Sequence, residues 1–263
     1  MRNIHIGILG GGVMGTVLAT AVRRTFPGAG ITICDRNRAR LSTFRRMRHA
    51  RFVTDPAALV DADVIFFAIK PQDVSSLAFR IPSHALVISV MAGVGIARIR
   101  EKTGAQKIIR AMPNTAAKFK HGFTVWTATA MASRADLQFA KRLFAHMGDE
   151  LFVRDEQTVD RATAVSGSGP AYLLYTLQCF IMAAQRIGFS KKEAKRMVLK
   201  TLEGVHALLV RDPDPEQLIR HIASKKGTTE AALKVFTQRH LPSLWIAALR
   251  AAFRRAKELS RLA

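Results

Sequence analysis

The sequence predicts an α/β fold: a doubly wound, mostly parallel sheet in residues 1–154, then an all-helical domain in residues 155–263. Three observations carry this. Short apolar runs alternate with helical patterns as far as Phe152, a glycine-rich turn joins the first run to the first helix, and strand signals stop after Asp155. Hydrophobic residues make up 49% and charged residues 23%, the balance of a chain with a packed core, which excludes a disordered or fibrous one.

Taken in order, strands are expected over Ile4 to Leu9, Ile31 to Cys34, Val64 to Ala68, Leu86 to Val90 and Ile108 to Ala111, each a short apolar run. Between them, Val13 to Arg24, Arg38 to Arg48 and Arg134 to Met147 carry apolar residues three and four apart and read as covering helices. In the second region, Ser190 followed by Glu193 is a capping box, and Asp214 before Pro215 is an N-cap with proline at the first helical position. The last helix puts Leu244, Trp245, Ala248, Leu249, Ala252, Ala256 and Leu259 on one face, with Arg250, Arg254, Lys257 and Arg261 mostly opposite. Tyr172 to Ala184 is apolar nearly all round, broken by Thr176 and Gln178. It is shorter than the roughly 20 residues of a bilayer crossing, so protein must surround it. A region of this size can hardly do so alone, and an interlocked homodimer is expected.

Several function classes fall away. The chain enters directly into a strand pattern without a secretory leader, and the expected location is cytoplasmic. Cys34 and Cys179 are far apart, so no disulfide framework and no cysteine metal site is expected. The formal net charge of +22, from 41 Lys and Arg against 19 Asp and Glu, raises a polyanion partner. The basic residues are spread along the chain and aromatics are only 7%, poor material for base stacking, so nucleic-acid binding is disfavoured as the main function.

Gly10, Gly12 and Gly15, with Gly11, Val13 and Met14 between them, form G-x-G-x-x-G between the first strand and the first helix. There glycines allow a tight turn, the approach of a pyrophosphate and close helix packing, which points to a dinucleotide. About 20 residues further on, where an adenine ribose would sit, Asp35 favours a free 2′-hydroxyl while Arg36 and Arg38 favour a 2′-phosphate. NADPH and NADH both remain open, with a slight lean to NADPH.

Four further segments have specific character: Ala68-Ile69-Lys70-Pro71, Arg110-Ala111-Met112-Pro113-Asn114-Thr115, Ser166-Gly167-Ser168-Gly169-Pro170-Ala171-Tyr172 and Ser224-Lys225-Lys226-Gly227-Thr228-Thr229. In this order they resemble the pyrroline-5-carboxylate reductase family across nearly the whole chain. The resemblance implies a Rossmann-type domain followed by a helical dimerisation domain, in a homodimer or a larger assembly of dimers without a membrane association. It implies hydride transfer from NADPH or NADH to the ring imine carbon of pyrroline-5-carboxylate, giving proline. By the same resemblance Ser224 and Thr228 bind the substrate carboxylate, Thr229 hydrogen-bonds the ring nitrogen, and Glu156 lies near that nitrogen, where a carboxylate would favour the iminium. A charge at the start of its own helix is the other reading of Glu156. Ala68, Lys70 and Pro71 would flank the nicotinamide ribose, Met112, Pro113 and Asn114 would line the nicotinamide pocket, and Ala92 and Gly93 would leave room for the cofactor. Exposure at a strand end is the other reading of Lys70, and plain packing that of Ala92 and Gly93.

The departures are specific. Lys225 and Lys226 replace a family Pro-Gly pair, which changes what the substrate loop adopts cheaply. Asp55 stands where asparagine is usual near the adenine ribose, His221 where asparagine is frequent beside the substrate, Ala116 for proline, and Gln178 and Met182 for acidic residues. A paralogue reducing another cyclic imine, or a basic dinucleotide-binding regulator that contacts nucleic acid, are the alternative readings.

Overall fold

The computed structural model describes residues 4–44, 47, 50–77 and 79–262. Eight strands form one sheet: β1 (His5–Leu9), β2 (Gly30–Cys34), β3 (Ala50–Val53), β4 (Val64–Phe67), β5 (Leu86–Ser89), β6 (Lys107–Met112), β7 (Gly122–Ala128) and β8 (Gly148–Phe152). Their order is β3-β2-β1-β4-β5-β6-β7-β8. Only the β6–β7 pair is antiparallel. The centre is buried on both faces, which is why its strands read as continuous apolar runs and not as alternation. In β4, Val64 and Phe66 face one core, with Ile6, Ile8 and Ile88. Ile65 and Phe67 face the other, with Val87, Ile108 and Leu59.

Helix α1 (Val13–Thr25) follows β1 and buries Val17, Leu18 and Val22 against the first core. The helix expected over Arg38 to Arg48 is shorter: α2 (Arg38–Leu41), capped by Asn37 through the Ala39 N–H, gives way to a 3₁₀ turn at Ser42–Phe44. Residues 45, 46 and 48 of that expectation lie outside the described residues. Helix α3 (Ile96–Thr103) joins β5 to β6, and α4 (Arg134–His146), opened by a Ser133–Asp136 capping box, packs Leu143 and Phe144 into the first core.

Helices α5 (Glu156–Ala162), α6 (Gly169–Arg186), α7 (Lys191–Arg211), α8 (Pro215–Ile222), α9 (Thr228–Gln238) and α10 (Leu241–Leu262) complete the chain, with a π-type turn at Thr163–Gly167 after α5. The expected caps at Ser190 and Asp214 form. By packing, the chain divides into one unit of residues 1–168 with 251–263 and a second of residues 169–250. The change of periodicity at residue 155 and this division differ for a local reason: Val159 and Ala162 of α5 pack on Val125 of β7. In the second unit α6 packs on α7, yet Leu173, Leu174 and Tyr175 of α6 remain 61–68% exposed. Within one chain, this apolar helix is not surrounded. No helix among the described residues is long and apolar enough to cross a membrane.

Candidate functional site

The glycine turn is dictated by space. Gly10 has φ 109°, and a Cβ there would lie 2.5 Å from the Ala68 carbonyl oxygen. A Cβ on Gly15 would lie 1.8 Å from the Gly10 oxygen, whereas one on Gly12 would meet nothing within 4 Å. Two glycines are therefore needed for packing, and the third faces open space. Gly12 is the N-cap of α1, without a side-chain cap and without an acidic residue in the first turn. The positive end of the helix thus opens where an anion can approach. Beside it lies a cavity of about 330 Å³ whose walls include Gly10, Gly12, Asp35, Arg40, Ala68 and Lys70. These features fit a dinucleotide: an open N-terminus for pyrophosphate and a cleft at the carboxyl ends of β1, β2 and β4. Val13 is exposed and Met14 packs partly against the core.

At the far wall, Asp35 is 8% exposed and already engaged. Its Oδ2 accepts the Gly11 N–H at 2.8 Å and its Oδ1 the Asn37 N–H at 2.8 Å, so it holds the glycine turn in place. Arg40 Nη1 lies 3.5 Å from Asp35 Oδ2, and Arg36 pairs with Asp73 at 3.0 Å. Arg36 and Arg40 both line the cavity, while Arg38 lines a separate hollow with Leu41 and Phe52. Of the two arginines weighed from sequence, one reaches the cleft; Arg40 was missed, because only the single turn of α2 turns it back. Asp55 also lines the cleft, where its Oδ1 caps the 3₁₀ turn Pro56–Leu59 through the Ala57 N–H at 2.9 Å. Burial, with Asp35 and Asp55 nearby, pushes the Cys34 thiol up to about 11, so it stays protonated. Lys70 is exposed and precedes Pro71, the first residue of a 3₁₀ turn at Pro71–Ser76.

The end of β6 carries a network that sequence reading did not find. Arg110 is only 2% exposed and donates to Glu156 Oε1 at 2.9 Å and to Asp160 Oδ1 at 2.5 Å. Glu156 Oε1 also accepts the Ile96 N–H at 2.8 Å, capping α3, whose N-cap Gly95 has no side chain to do so. The carboxylate that was expected beside a substrate nitrogen is thus bound to a buried guanidinium and to the amino end of α3. The other reading, a charge at the start of its own helix, fits its place as the first residue of α5, and the same carboxylate also caps α3. The signal available was an arginine inside the otherwise apolar strand Ile108-Ile109-Arg110-Ala111: a charge there needs buried partners. Asn114, 9% exposed, donates from Nδ2 to the Ser166 oxygen at 3.0 Å and accepts the Ala116 N–H at 3.2 Å. A Cβ on Gly167 would lie 2.9 Å from Met112 Cε, so the start of the S-G-S-G segment sits on the M-P-N segment. Ala92 and Gly93, the latter at φ 75°, lie between β5 and α3.

The segment 224–229 belongs to the second unit. Gly227 is the N-cap of α9; its N–H donates to the Ser224 oxygen at 3.0 Å, and a Cβ there would lie 2.4 Å from Ser224 Oγ. Lys226 takes φ 60°, a left-handed conformation in which glycine costs nothing, and its N–H donates to the Glu230 carboxylate. Thr228 and Thr229 open α9 without a side-chain cap, offering hydroxyls and first-turn N–H groups to an anion. His221 is exposed in the last turn of α8. No cluster of His, Cys, Asp and Glu suited to a metal occurs among the described residues.

The family described as "Pyrroline-5-carboxylate reductase dimerisation" matches residues 156–259, and that described as "NADP oxidoreductase coenzyme F420-dependent" matches residues 5–93. A pyrroline-5-carboxylate reductase of Pseudomonas aeruginosa is 35% identical over 209 residues, 77% of each chain. One of Synechocystis sp. is 32% identical over 98% of this chain and 99% of its own. The solved structure of a pyrroline-5-carboxylate reductase from Coxiella burnetii superposes with a TM-score of 0.84 at 28% identity, covering 98% of this chain and 99% of that one.

Proposed function

The chain belongs to the pyrroline-5-carboxylate reductase family, and from that premise we propose how its residues reduce 1-pyrroline-5-carboxylate to L-proline with a nicotinamide cofactor. NAD(P)H, when bound, supplies the hydride for the ring imine carbon. The observation that carries the reading is the open N-terminus of α1 behind Gly10 and Gly15, a cradle shaped for the dinucleotide.

In our reading Gly12 and Val13 hold the pyrophosphate by backbone N–H groups, Gly11 keeps its N–H on the Asp35 carboxylate and so fixes the turn, and Met14 and Gly15 keep α1 close to β1. Arg36 and Arg40 take the 2′-phosphate, which selects NADPH over NADH; Asp35, with both oxygens on backbone N–H groups, serves as the brace of the turn and not as a ribose acceptor. Asp55 shapes the adenine end as a cap. Ala68, Lys70 and Pro71 flank the nicotinamide ribose, and Asn114, Ala92 and Gly93 border the ring.

The substrate carboxylate goes to the first turn of α9 with Ser224 and Thr228, His221 beside it, and the Thr229 hydroxyl hydrogen-bonds the ring nitrogen. A hydroxyl is a poor acid, so Thr229 orients the nitrogen and does not supply strong acid catalysis. Glu156 is a positioning residue: through Arg110 it ties α3, β6 and α5 together behind the nicotinamide edge. We further propose that the exposed apolar face of α6 closes against a second copy in an interlocked homodimer; the match to a dimerisation family over residues 156–259 supports this.

The test is turnover of purified protein with 1-pyrroline-5-carboxylate and either NADPH or NADH, beside Thr229→Ala. Faster turnover with NADPH and a loss of about tenfold or more in kcat for the variant, of the order of one oriented hydrogen bond, are expected. Equal turnover of the variant would remove Thr229 from the reaction.

A further inference from the structure

A second cavity, of about 480 Å³, lies between α1, the 3₁₀ turn Thr115–Phe119 and the end of α4. Its floor is apolar, formed by Val13, Val17, Ala21, Ala117 and Met147. Every ionisable group on its wall is basic: Arg24, Arg40, Lys118, Lys120 and His146. Arg24, Lys118 and Lys120 form no ion pair among the described residues, whereas Arg40 lies by Asp35. His146 Nε2 is a buried atom with no hydrogen-bond partner. Burial, with Lys120 and Arg24 close by, holds His146 below its ordinary range, so at neutral pH the ring is an uncharged hydrogen-bonding group facing cations.

Uncompensated cations around an apolar floor repel one another, and an anion relieves that repulsion while its body covers the floor. Three to four cations suit a dianion better than a carboxylate. We propose that this cavity is a second binding site, for a small phosphate monoester carried on an apolar body. Arg40 lines both cavities, and Gly11 and Val13 of the glycine turn also line this one, whereas Arg24, Lys118, Lys120 and His146 line this cavity alone.

The probe is phenyl phosphate, titrated calorimetrically into the full chain saturated with NADPH and proline so that the cofactor and substrate sites are filled. One molecule per chain is expected, bound at least about tenfold more tightly than inorganic phosphate, the equivalent of about 1.4 kcal/mol for the apolar body. Lys118→Ala with Lys120→Gly removes two cations, and the glycine relieves the left-handed φ of 62° at Lys120, so folding is protected. This variant and Arg24→Gln, on a different element, should each weaken phenyl phosphate at least about fivefold and leave turnover with pyrroline-5-carboxylate unchanged, which also shows that both are folded. The proposal is overturned by absence of binding to the saturated protein, by equal affinity for inorganic phosphate, or by variants that bind as tightly as the parent.

Discussion

Replacing Glu156 by glutamine separates a positioning role from a role in proton chemistry. Oε1 takes the Ile96 N–H at 2.8 Å and an Arg110 N–H at 2.9 Å, and Arg110 is 2% exposed. An amide oxygen can accept both, so the cap of α3 survives; what goes is the charge of one of the two carboxylates that balance Arg110. A hydrogen bond to a charged group contributes about 1.5–3 kcal/mol and a neutral one about 0.5–1.5, so the change costs about 1 kcal/mol, with Asp160 still balancing the guanidinium. Glu156 is itself 34% exposed, which keeps the figure at this low end. Glu156→Ala also removes the cap, worth about 1 kcal/mol. It leaves a buried Arg110 N–H without its acceptor, which costs about 1–3 kcal/mol, for a total of about 3 kcal/mol. The assay is urea unfolding at one fixed protein concentration, because a dimer's apparent stability depends on concentration, with steady-state kinetics on the same samples. The expected pattern is a stability loss graded from glutamine to alanine, with kcat of the glutamine variant within about threefold of the parent. Unchanged stability with a kcat loss of about 100-fold, the size of a lost general acid or base, would refute the reasoning and put the carboxylate at the reacting nitrogen.

The other predictions follow from particular positions. Lys226→Gly should stabilise the chain by about 1 kcal/mol, the cost of a left-handed non-glycine residue, seen as a raised thermal midpoint; a lowered midpoint would mean that the Lys226 side chain makes a compensating contact. Arg36→Ala and Arg40→Ala should each raise the KM for NADPH by about tenfold and barely alter that for NADH, since each removes a charge-assisted bond to the 2′-phosphate alone. Gly15→Ala should abolish cofactor binding or folding, because its Cβ would fall 1.8 Å from the Gly10 oxygen; fluorescence quenching by NADPH and circular dichroism distinguish the two. Leu174→Arg, at a position 66% exposed on α6, should sediment as a smaller species than the parent, because it charges the apolar face proposed as the seam; an assembly of the parent's size would show that this face is not the seam.

Much of the architecture was legible because its signals are local. The five central strands fall within a residue or so of the apolar runs, since a strand buried on both faces must be apolar throughout, and the caps at Ser190 and Asp214 rest on side chains a few residues apart. β3, β7 and β8 were missed: β3 and β8 are short edge strands with charges in them, and β7 buries Thr124 and Thr127 where polar residues suggest a loop. At the site, the glycine turn could be read because its demands are covalent and steric. The partners of Glu156 could not, since Ile96, Arg110 and Asp160 meet it only through tertiary packing, across 46 residues in the case of Arg110. Arg40 was hidden for a related reason, the brevity of α2. The left-handed backbone at Lys226 shows the opposite case, where loss of a family glycine pointed to strain and the structure bears a positive φ at that residue.

The central claim is transfer of a hydride to the ring imine carbon, and the most direct test is isotopic. NADPH carrying deuterium at the transferred position is incubated with the protein and 1-pyrroline-5-carboxylate, and the product is analysed by mass spectrometry. The account predicts L-proline with one deuterium on the former imine carbon. Consumption of the cofactor without labelled proline, or no consumption by a protein that binds NADPH, would contradict it.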